Sequence, residues 1–117
     1  MADHPVNLNS FNGSYEDLCQ TVSSASGLVV VVFLAPWCPP CRHLGDMLPN
    51  LAAEFPKVSF LKTNTDEAQD LVSHYGVCSI PHVKYFKASQ GNQVQELASI
   101  TGVDLPQIKA KIQQFGV

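Results

Sequence analysis

Leu28–Arg42 reads LVVVVFLAPWCPPCR, and the rest of the chain is read outward from it. Its first half is a run of β-branched and large apolar residues. The run is too short to cross a membrane and has the length of a strand buried on both faces. Its second half sets Cys38 and Cys41 three positions apart, with Pro39 and Pro40 between them and Trp37 in front. Proline suits the first turn of a helix, where an N–H has no intrahelical partner and φ is already preset. The cysteines therefore belong where a buried strand hands over to a helix.

That place carries a chemistry. Positions i and i+3 share a helix face, so the two sulfurs can approach and close a disulfide with little backbone movement. Partial positive charge and unpaired N–H groups at a helix start favour a thiolate over a thiol. Cys38, at the mouth of the turn, is the expected nucleophile, and Cys41, one turn in, the resolving thiol. The rival reading is half of a zinc site. Zinc wants about four ligands, yet His4, His43, His74 and His82 are scattered and no second CxxC occurs. No metal is expected; a cluster bridged between two subunits stays open.

With 117 residues the chain is long enough for one domain with its own core, and the expected domain spans residues 1–117. A net charge of −3 gives no reason to expect nucleic acid or an anionic membrane as partner. Met1 to Pro5 has no basic region and no apolar stretch follows, so the expected compartment is the cytoplasm. There, a lone CxxC is more often redox-active or metal-binding than structural.

Taken in order, Val6 and Leu8 suggest a short first strand, and Ser14 with Asp17 forms a capping box. Tyr15, Leu18, Cys19 and Val22 recur at helical spacing, with Gly27 as the stop. The strand Leu28–Leu34 follows. From Pro40, the spacing of Leu44, Met47, Leu48, Leu51 and Phe55 gives an amphipathic helix containing Gly45 and an interior Pro49, which should kink it. Val58–Lys62 reads as a strand. Asp66 with Gln69 caps a short helix that ends at Gly76. Val83, Tyr85 and Phe86 mark a fourth strand, Val94 and Leu97 to Ile100 a fifth, with a turn over Ala88–Gln93. Asp104 caps a last helix bearing Leu105, Pro106, Ile108, Ile112 and Phe115. The order β-α-β-α-β-α-β-β-α predicts an α/β fold: one mixed sheet, helices on both faces, parallel crossovers between helix-separated strands and an antiparallel final pair.

A strand, then WCxxC, then a helix, then Ile80-Pro81 about forty residues on resembles the thioredoxin family over roughly Leu8 to Phe115. The resemblance rests on FLAPWCPPCR, Ser79-Ile80-Pro81, Lys62 to Asp66, and Gly102 before the last helix. It implies a thioredoxin fold, a cis Pro81 facing the sulfurs, and an Ile80 backbone that pairs with an extended substrate. It implies docking on Trp37, Pro39, Pro40, Ile80 and Pro81. Arg42, Lys62, Cys78 and His82 are candidate modulators, with a structural role as the plainer reading of His82. No bound cofactor is implied; electrons come from NADPH through a thioredoxin reductase or another dithiol donor. Disulfide-containing proteins are the implied substrates and a monomer the implied state. A tryparedoxin-like carrier is a variant of this reading. A redox-slow adaptor is a rival, and an oxidase or isomerase of a secretory compartment is another.

Three residues depart from the family pattern. Pro39 stands where most members carry glycine. Val32 stands where typical members bury an aspartate that helps deprotonate the resolving cysteine, so resolution by Cys41 should be slower and Lys62 lacks that aspartate as partner. Asp46 stands at the family's kink proline, while Pro49 lies one turn later. Cys19 reads as an inert buried thiol. Cys78 reads as an ordinary, partly exposed cysteine, with the rim of the substrate groove as the open alternative. His43 reads as solvated.

Overall fold

The structure, a computed structural model, describes residues 5–91 and 93–116. The readings made for Met1 to His4 and for Asn92 in the last turn lie outside these residues. Nine elements follow in chain order: β1 (Leu8–Ser10), α1 (Tyr15–Ser24), β2 (Val29–Leu34), α2 (Pro39–Glu54), β3 (Ser59–Asn64), α3 (Gln69–Tyr75), β4 (His82–Ala88), β5 (Val94–Thr101) and α4 (Leu105–Phe115).

The strands form one mixed sheet in the order β1-β3-β2-β4-β5. β2 lies at its centre, buried along its whole length. Its alternating side chains feed two cores. Val30, Val32 and Leu34 pack with Leu44, Leu48 and Leu51 of α2 and Ile108 and Ile112 of α4. Val29, Val31 and Phe33 pack with Leu18 and Val22 of α1 and Leu71 of α3. A strand covered on both faces needs apolar residues at every position, which is why Leu28–Leu34 shows no polar alternation.

The expected direction of β4 is corrected. β1 and β2 both run parallel to β3, but β4 runs antiparallel to β2 although a helix precedes it. A parallel return must carry the chain back along the sheet, and six-residue β3 is about 20 Å long. The seven residues of α3 span only about 10 Å. The chain therefore re-enters the sheet at the end where it left: Leu34 pairs with Asn64, and Phe33 with His82. Three loops are gathered at that one sheet end as a result.

Local signals fare unevenly. The Ser14–Asp17 capping box is present in both directions, and Gly76 ends α3 in the left-handed conformation at φ +61°. α1, however, stops at Ala25, two residues before Gly27. Val6 lies outside β1 and is exposed, while Asn7 beside it donates through Nδ2 to the carbonyls of Ala52, Phe55 and Val58 at 2.8–3.1 Å. β3 runs on to Asn64 because Thr63 is buried and donates to the Phe11 carbonyl at 2.7 Å. α2 is unbroken through the exposed Pro49. Asp66 does not cap α3; Ala68 holds that position with no side-chain bond.

Candidate functional site

Cys38 is the N-cap of α2, so its side chain faces the first free donors of that helix. Pro39 and Pro40 carry no N–H, which leaves the Cys41 amide as the first donor available. It donates to Cys38 Sγ at 3.3 Å, and Cys38 N–H itself is tied to the Ala35 carbonyl at 3.2 Å. Both sulfur-bearing residues are buried, Cys38 at 6% exposure and Cys41 at 1%. Burial, reinforced by the hydrogen bond and charge of Cys38, pushes the Cys41 thiol up to about 11. The pair is thus asymmetric: one sulfur at the helix mouth receives an N–H, and the other lies within the core.

The Ile80 carbonyl stands 4.0 Å from Cys38 Sγ, across the loop that enters β4. The Ile80–Pro81 peptide is cis, and Pro81 is buried with its carbonyl accepting from Gly102 N–H at 2.9 Å. Trp37 is 66% exposed, and its Nε1 donates to Asp66 Oδ2 at 3.0 Å. Trp37, Thr65, Val72, Val77, Cys78 and Ile80 line an open groove of about 400 Å³ beside Cys38. The exposed Cys78 therefore sits on the groove rim, its Sγ 3.3 Å from the Gly76 carbonyl.

The other expected residues lie on α1, α2, β3 and β4. Pro39, Pro40, Arg42 and His43 are exposed along the start of α2. His82 pairs with Phe33 and so points to the sheet face opposite Val32 and the two cysteines. Its Nδ1 lies 2.9 Å from Thr101 Oγ1, and burial together with the charge of Lys84 holds its pKa below the usual value. Lys62 pairs with Val32 across the sheet, on the cysteine side, and is exposed. Cys19 is buried in α1. Among the described residues no group of three or more His, Cys, Asp or Glu side chains is arranged to hold a metal, and no helix is long and apolar enough to cross a membrane.

Two features escaped the sequence. Asp66 serves Trp37 rather than a helix, a pairing across 29 positions with no local pattern. A cavity of about 510 Å³ opens on the far side of Cys41, lined by Gly45, Asp46 and Lys62 among others.

Comparison with known proteins places this arrangement. The family model described as Thioredoxin matches residues 10–114. The chain is 47% identical to thioredoxin of Chlamydia pneumoniae over 76 residues, 65% of this chain and 72% of that one. It is 31% identical to human glutaredoxin-3 over 102 residues, 87% of this chain but only 28% of that protein. The solved structure of Trichomonas vaginalis thioredoxin superposes with a TM-score of 0.85 at 38% identity, covering 92% of this chain and 96% of that one.

Proposed function

The chain belongs to the thioredoxin family and is a thiol–disulfide oxidoreductase of that type; on this premise we propose that Cys38 is its nucleophile and Cys41 its resolving thiol. The observation that carries the assignment is the Cys41 N–H aimed at Cys38 Sγ from the start of α2, with the Ile80 carbonyl across the gap. A sulfur receiving an N–H at a helix mouth is stabilised as thiolate, and a thiolate is what attacks a disulfide. Cys38 then bonds to one target sulfur while the other leaves with the electron pair. Cys41, once deprotonated, attacks Cys38 Sγ, forms the Cys38–Cys41 disulfide and expels the second target thiolate.

We assign target binding to Trp37, Pro39, Pro40, Ile80 and Pro81; the exposed Trp37, Pro39 and Pro40 flank Cys38 in the chain, and the Ile80 carbonyl stands 4.0 Å from its Sγ. An extended target chain bonding to the Ile80 backbone would bring its disulfide over Cys38. Arg42, Lys62, Cys78 and His82 are secondary in this scheme, and His82 is the weakest of them because it points away. Proteins of this family work without a bound cofactor, so the oxidised pair must be re-reduced by another dithiol. We assign that role to a thioredoxin reductase drawing on NADPH. The proposed setting is a monomer of one domain, residues 1–117, in the cytoplasm, acting on disulfide-containing proteins. The adaptor reading is not favoured by relatives such as the Chlamydia pneumoniae thioredoxin at 47% identity.

A Cys41→Ser variant incubated in cell extract tests the assignment. Proteins should remain covalently attached to Cys38 and be released by dithiothreitol; an extract that yields no adduct, or adducts on Cys78 alone, contradicts it.

A further inference from the structure

Cys41 must lose a proton before it can attack, and Val32, buried in the same core cluster, carries no titratable group to take it. The cavity of about 510 Å³ on the far side of Cys41 supplies what the core lacks. Its wall includes Cys41, Arg42, Gly45, Asp46, Lys62 and Glu67. A volume of that size holds several waters at roughly 30 Å³ each.

Gly45 lines the cavity without a side chain. It lies one helical turn beyond Cys41, so it occupies the same face of α2. Nothing steric requires glycine there: a Cβ would meet only Leu34 Cδ1, at 3.8 Å, and φ is not positive. A helix-interior glycine costs up to about 1 kcal/mol against alanine. A side chain longer than alanine at this position would project into the space beside Cys41.

Asp46 is the carboxylate best placed to use that opening. It follows Gly45 on the same helix and is exposed, and no hydrogen bond or ion pair to it is found among the described residues. Glu67, the other carboxylate on the wall, already accepts from Asn12 Nδ2 at 3.0 Å. Arg42 and Lys62 are the cations facing the same space, and Cys38 is the remaining titratable neighbour of Cys41.

Building on the exchange reaction assigned above, we propose that Asp46 accepts the Cys41 proton through water held in the Gly45 cavity. The proton passes from Cys41 Sγ to water and from water to the Asp46 carboxylate, then to solvent. The Cys41 thiolate attacks Cys38 Sγ, the Cys38–Cys41 bond forms, and the target sulfur leaves as a thiolate. Two electrons move from the dithiol to the target disulfide, and no other reactant is required. Asp46 is a positioning residue here, since it reaches the reacting sulfur only through water.

The test is stopped-flow reaction of the reduced protein with dithiobis(nitrobenzoate), whose released thiolate is coloured. In a Cys78→Ser background, which removes the exposed third thiol, the first release reports attack by Cys38 and the second reports resolution by Cys41. Each variant's second phase is normalised to its own first phase. Asp46→Asn and Gly45→Leu should each slow that ratio about threefold or more near neutral pH, with Asp46→Glu close to the parent. The deficit of Asp46→Asn should shrink as the pH rises and the buried Cys41 thiol ionises without help. A ratio slowed less than about threefold in Asp46→Asn, or a deficit independent of pH, overturns the proposal. Failure of the parent protein to release any thiolate would instead overturn the exchange reading itself.

Discussion

Trp37 and Asp66 are joined by a 3.0 Å hydrogen bond from Nε1 to Oδ2, which pins an exposed indole beside the reactive sulfur. The bond links the loop before α2 to the loop after β3, two of the three loops gathered at one sheet end. An indole held in one orientation meets a target with less entropy to lose. Asp66→Ala should therefore raise KM for a protein disulfide, by about two- to tenfold given a net bond strength of about 0.5–1.5 kcal/mol. Rates with a small aryl disulfide, which needs no docking surface, should stay within about twofold of the parent. Steady-state kinetics with both substrates check this.

Lys84 is the charged residue buried in β4, and it is held by Glu96 Oε2 at 2.7 Å with the Tyr75 ring 5.6 Å away. Removing only the carboxylate strands an ammonium in the core. Glu96→Ala should cost about 1–3 kcal/mol in urea unfolding, the range for an unsatisfied buried group. The paired change Lys84→Met with Glu96→Ala should recover most of that loss, because replacing both charges leaves nothing unsatisfied.

His82 gives the stability a pH dependence of known sign. Burial and the Lys84 charge lower its folded pKa, against a smaller opposing effect of Glu96. The unfolded chain then binds the proton more readily than the folded one. The contribution is complete above the unfolded value of about 6.5 and is lost as pH falls below it toward the folded value. His82→Gln should flatten the fall in unfolding free energy over that acidic window. Urea titrations at successive pH values read it.

Ser14 and Asp17 close the start of α1 reciprocally, with bonds of 3.1 Å and 3.0 Å. Ser14→Ala should lower stability by about 1 kcal/mol, as N-cap removal does. Disulfide exchange should stay at the parental level, since α1 covers the sheet face opposite the cysteines.

What was readable in the sequence divides along the range of the interactions. The all-apolar run of β2, the Ser14 capping box and the Asp104 cap are local, and residue type alone points to them. So is the CPPC turn, whose two prolines fit the first turn of a helix but not its interior. β4's direction was not legible, because it depends on the span of α3 measured against the length of a strand. Asp66 looked like a cap because nothing nearby reveals that Trp37 lies above it. Lys84 sits in a strand pattern as an outward residue would, and only Glu96 and Tyr75 together make its burial tolerable. Gly45 is only a helix-interior glycine in the sequence, and the cavity it lines depends on how α2 packs against the sheet.

The central claim is that the Cys38 sulfur begins the exchange. It is tested by dithiothreitol-driven reduction of a protein disulfide by the parent and by Cys38→Ser, followed as precipitation of the separated chains. The account predicts clear acceleration by the parent and a return to the uncatalysed rate in Cys38→Ser, whereas a variant that still reduced the substrate at the parental rate would contradict it.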